Sequence, residues 1–197
     1  MDGIEIGIVA KKANVHPIRT KLTAALALMR DYDPIRFAYL KRDVKRIFVL
    51  GSPPYRGQWH PRFAICELTD TYILASETTP AMLASVLAHE AMHARLYRWG
   101  FGYQEEQRVR IERVCFKAMV AFARKLPDTE AESREFIIHD SLQQSDRDPN
   151  YWTDQNQLEE QLEAFRKSGI PDWAISLLRR GAMARARRYQ RSQKRVS

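Results

Sequence analysis

The chain has 197 residues, 45 % of them hydrophobic, enough for one domain with a sizeable core and a small appendage. No apolar run is long enough to cross a bilayer, which argues against a membrane-spanning helix, and the opening MDGIEIGIVAKK lacks the basic-then-apolar pattern of a secretory leader. The formal net charge of +8 is uneven: residues 179–197 hold eight Arg or Lys and no acid, and the rest of the chain balances. Two cysteines, Cys66 and Cys115, make no disulfide framework and read as buried reduced thiols, so the expected address is cytoplasmic.

Residues 4–9 (IEIGIV) form the first strand candidate. Residues 20–31 read as a helix, rich in Ala and Leu, with Leu22, Leu26 and Met29 on one side. Asp33-Pro34 ends or turns it. Residues 44–50 (VKRIFVL) look like a strand. The stretch 51–61, with its three prolines, two glycines, Trp59 and His60, is expected to hold neither helix nor sheet. Segments 63–68 and 72–75 flank Thr69-Asp70-Thr71 as a hairpin.

A helix should then run from Pro80 to about Trp99, with Thr79 capping its free amides and Gly100 and Gly102 stopping it. A second should span 104–126, with Ile111, Val114, Cys115, Ala118, Met119 and Phe122 as its apolar stripe, ended by Pro127. Helices are expected over 129–143 and over 154–167, the latter capped by Thr153 and closed by Ser168-Gly169. A last one starts at Pro171 and becomes the basic tail near Arg185. Residues 140–163 are acidic and could attract that tail, or each could face solvent.

The sharpest motif is His89-Glu90-Ala91-Met92-His93, inside the 80–99 helix. The spacing puts both imidazoles on one helical face, about 6 Å apart along the axis. Two such ligands suit one zinc ion, and Glu90 then stands where it can take a proton from an activated water. The competing reading is a helix with two unrelated histidines.

Catalytic zinc usually has three protein ligands and one open position. No histidine follows His93 until His139, so the third ligand is expected to be a carboxylate. A helix returning after the turn at 100–103 passes the level of His93 six to nine residues later, where Glu112 falls. Glu105 and Glu106 sit too near the turn. The alternative for Glu112 is a surface residue paired with Arg108, four positions earlier.

With this constellation the chain resembles the zincin metallopeptidases, and their glutamate-zincin branch in particular, over roughly residues 44–127. The run from Glu112 through Phe122-Ala123-Arg124-Lys125-Leu126-Pro127 is similar to small intracellular members related to phage-repressor and stress-response peptidases. The resemblance implies an α+β fold, a small mixed sheet packed against the active-site helix and followed by a mostly helical C-terminal part. It implies a zinc metallopeptidase with Zn2+ on His89, His93 and Glu112, and Glu90 as general base. A polypeptide substrate would pair with a sheet-edge strand from the 63–75 hairpin. Larger members carry an acidic residue four positions after the third ligand to orient a histidine; here that position is Phe116. Tyr97, Tyr103, His139 and His60 are the candidates for stabilising a developing oxyanion.

The expected organisation is a core over 1–127, a helical extension packed on it over 128–184, and a basic tail over 185–197. The rival reading is a nucleic-acid-associated or regulatory protein on the same fold. Its basic tail, residues 179–197, would touch phosphates or an acidic protein. No base-reading module accompanies that tail.

Overall fold

The computed structural model describes residues 3–51, 55–102, 104–167 and 169–181. It is α+β and divides into two compact units, residues 1–148 and residues 149–197. The boundary expected at residue 127 falls inside the first unit.

The first unit runs β1 (Glu5–Val9), α1 (Lys12–Tyr32), α2 (Pro34–Asp43), β2 (Arg46–Leu50), β3 (Gly57–His60), β4 (Ile65–Thr69), α3 (Asp70–Leu74), α4 (Pro80–Arg98), α5 (Glu105–Ala123) and α6 (Ala131–Ser145). Its sheet has the order β1-β2-β4-β3. β1 and β4 both run parallel to β2, and β3 runs antiparallel to β4 at the edge. One face of the sheet presents Ile47, Val49, Trp59, Cys66 and Leu68, all buried. The alternate residues, such as Phe48 and Glu67, lie on the opposite face and are only half-buried.

α4 is the centre of the unit. It packs against α1, α2, α5, α6, β3 and β4, and it is buried on nearly every side. Its sequence explains this. Ala81, Ala84, Ala88, Ala91 and Ala94 let neighbours approach from several directions, while Leu83, Val86 and Leu87 supply apolar area. Its start is as expected: Pro80 is the first helical residue, and the Met82 N–H donates to Thr79 Oγ1 at 3.2 Å. At its end Gly100 adopts φ +87°, a left-handed conformation that favours glycine, and the chain turns back into α5.

Two expectations about the elements were incorrect, and one expected helix begins earlier than its pattern indicates. Residues 51–61 do contain a strand, β3, because Pro53, Pro54 and Pro61 flank Gly57–His60 rather than interrupt it. The hairpin joins β3 to β4, with Trp59 opposite Cys66, and residues 70–74 form the short helix α3 instead of a return strand. Helix α1 begins at Lys12 and contains Pro17 in its second turn, at the cost of the one hydrogen bond that a residue-17 amide would make to the Ala13 carbonyl. Asp33-Pro34 does turn the chain, and it also opens a further helix, α2, with Pro34 as first residue and Asp33 accepting from the Arg36 N–H.

In the second unit, α7 (Asp154–Lys167) is followed by helical residues 172–181. Thr153 caps α7, accepting from the Asn156 N–H at 3.3 Å, and Gly169 at φ +88° closes it. Leu162 and Ile175 are buried. Arg179 pairs with Glu159, so the basic and acidic stretches do meet at one point, in an exposed ion pair worth little to stability. The tail from 182 onward lies outside the described residues.

Candidate metal centre

α4 and α5 are antiparallel neighbours joined by the turn at 99–104. Leu96, Ile111 and Cys115 form a buried cluster between them, with Met92 and Val114 packed against it. This packing fixes which residues of α5 face the histidine motif: Glu112, Cys115 and Phe116, at positions i, i+3 and i+4 of one helical face.

His89, His93 and Glu112 converge. The two Nε2 atoms are 3.0 Å apart, and Glu112 Oε2 is 3.2 Å from that of His89 and 3.4 Å from that of His93. Donor atoms held about 2.0–2.1 Å from one tetrahedral zinc stand roughly 3.3 Å apart, so this triangle has the dimensions of three zinc ligands. The Glu112 side chain is 13 % exposed, which sets aside a surface role. Burial works to raise the Glu112 pKa, but His93 and His89 hold it well below the ordinary carboxylate range. It therefore stays an anion, as a metal ligand must.

Cys115 brings a second donor from α5. Its Sγ and one ring nitrogen each of His89 and His93 lie within 4.8 Å of one another. Two donor sets thus share the same histidines, and the carboxylate set is the tighter. Burial pushes the Cys115 thiol up to about 11. The helical spacing that turns Glu112 toward the histidines also turns Cys115 there, but a thiol in an apolar stripe reads as core.

Glu90 is buried beside the triangle, with β3 packed close against its carboxylate. Burial pushes its pKa up, partly offset by His89 and His93. Gly57, two residues before Trp59, explains how β3 comes so close. A Cβ there would stand 2.7 Å from Val86 Cγ1 and 3.2 Å from Glu90 Oε1. Gly57→Ala should therefore lower stability by about 1–3 kcal/mol through overpacking, read as a fall in the urea midpoint. An unchanged midpoint would mean that β3 and α4 are not tightly packed.

Among the described residues no acid reaches His89 Nδ1. Phe116 packs edge-on against its ring, with centroids 4.8 Å apart, and His89 Nδ1 has no hydrogen-bond partner among the described residues.

No family model, curated protein or solved structure matches the chain.

The four oxyanion candidates are placed differently. Tyr97 is 44 % exposed on α4. His60 sits at the end of β3 with Nε2 2.9 Å from Glu67 Oε2, and Glu67 also accepts from the Tyr55 hydroxyl at 2.6 Å. His139 is exposed on α6, next to the half-buried Asp140, which pairs with Arg56 just before β3. Tyr103 lies outside the described residues. The edge strand expected from segment 63–75 is instead β3, and it borders the general-base candidate directly. Among the described residues no helix is long and apolar enough to cross a membrane.

Proposed function

We propose that the chain is a zinc-dependent peptide hydrolase of the zincin type, in the branch with glutamate as third ligand. The observation that carries this reading is the convergence of His89 Nε2, His93 Nε2 and Glu112 Oε2, with Glu90 buried alongside. Two neutral imidazoles and one carboxylate are a common catalytic zinc set. When bound, zinc supplies Lewis acidity toward a carbonyl and lowers the pKa of a water.

The chain's own residues do the rest. Glu90 takes the proton lost by the attacking water and delivers it to the leaving amine. Its raised pKa brings it nearer neutrality, where one group serves well as both base and acid. β3 pairs with β4 on one side, and its other side is an edge among the described strands. An extended peptide added there would run past Glu90, held by backbone hydrogen bonds that do not depend on its sequence. This supports a polypeptide substrate.

The test is metal content. Protein purified without added zinc should hold about one zinc per chain, and His89→Ala or His93→Ala should lose nearly all of it. Glu112→Ala should weaken zinc retention during dialysis against a chelator. Full retention in either histidine variant would end the proposal. Full retention in Glu112→Ala would remove Glu112 from the ligand set.

A further inference from the structure

We propose that Cys115 is a fourth protein donor to the same metal ion, so that the resting site is closed by a His89, His93, Glu112 and Cys115 shell. The inference rests on the zinc reading above and deepens it.

Placement is the first argument. Cys115 follows Glu112 by three residues on α5, so both donors project from one helical face toward α4. Its Sγ lies within 4.8 Å of one ring nitrogen of each histidine, fully buried and in no disulfide. Zinc–sulfur bonds are about 2.3 Å long against about 2.0–2.1 Å for nitrogen. Sulfur and nitrogen donors on one tetrahedral zinc therefore stand roughly 3.5 Å apart, so metal binding would draw these donors closer together.

Charge is the second. Zinc held by two neutral imidazoles and one carboxylate keeps one net positive charge, and His93 and Cys115 are both buried. A buried net charge is costly unless something compensates it, and the buried Glu90 carboxylate, which stands outside the shell, does so only while ionised. A thiolate makes the four-donor shell neutral, its proton leaving to solvent on metal uptake. A full shell has no place for water. Cys115 would therefore give up its position each time a water or a carbonyl is activated.

X-ray absorption at the zinc edge tests this without reference to activity. The wild-type protein loaded with one zinc should show nitrogen or oxygen neighbours plus one sulfur at about 2.3 Å. Cys115→Ser should lose the sulfur, and Cys66→Ser should keep it; these are the two cysteines of the chain. If Cys115→Ser does not fold, sulfur seen in the wild type and kept in Cys66→Ser carries the proposal alone. A wild-type shell of nitrogen and oxygen only would overturn the fourth donor while leaving the zinc site in place. Sulfur lost in Cys66→Ser would also overturn it. A chain that binds no zinc would overturn both this proposal and the function on which it rests.

Discussion

Replacing Glu90 by Gln should leave zinc bound and reduce peptide-bond hydrolysis by about 10²-fold or more. The substitution suits the site. Glutamine has nearly the same shape, so the packing of β3 against α4 survives. What it removes is a basic oxygen able to take a proton. Alanine would be a poorer test, since it would also open a cavity beneath Gly57. The measurement needs a chelator-sensitive activity, sought with unfolded and native proteins as substrates. Zinc content of each preparation should be determined in parallel. Equal cleavage by wild type and Glu90→Gln at equal zinc content would sink the assigned role. Loss of zinc in the variant would show instead that Glu90 supports the site's structure.

The sequence displayed the centre of the site more clearly than its surroundings, for a physical reason. His89, Glu90 and His93 lie within one helix, so their relative placement follows from helical geometry alone. Glu112 needed only one more step, a short turn and an antiparallel return, and Gly100 marks that turn plainly. β3 was not legible in this way. It has four residues, begins with a glycine, and sits between prolines. Its strand character comes from pairing with β4 and from the close approach of Gly57 to Val86, both of which are tertiary. Residues 72–75 illustrate the reverse. Tyr72, Ile73 and Leu74 have strand-like side chains, yet they complete a short helix in which Ile73 is fully buried. Phe116 was recognised as a departure from the zincin pattern. Its packing against the His89 ring depends on the α4–α5 contact and could be seen only in three dimensions.

Asp33→Ala should be among the most damaging single changes away from the site, at about 3–5 kcal/mol of stability. Asp33 has no exposed surface, and three interactions meet on its carboxylate. Arg36 pairs with Oδ2, Lys125 Nζ lies 2.9 Å from Oδ1, and the Arg36 N–H donates to Oδ1 as the cap of α2. The Lys125 contact joins the α1–α2 corner to the end of α5, 92 residues away. Removing the carboxylate leaves the Arg36 guanidinium, itself only 17 % exposed, without its partner and strips the cap from α2. Lys125 is 41 % exposed and can turn to water, so Lys125→Ala should cost under about 1 kcal/mol. Asp33→Asn keeps an acceptor for the cap and should fall between the two. Urea unfolding of the three variants at constant zinc load would rank them. If Asp33→Ala lost no more than Lys125→Ala, the buried pairing with Arg36 could not be what holds the corner, and the α1–α2 junction would have to rest on the packing of Met29, Phe37 and Leu40 alone.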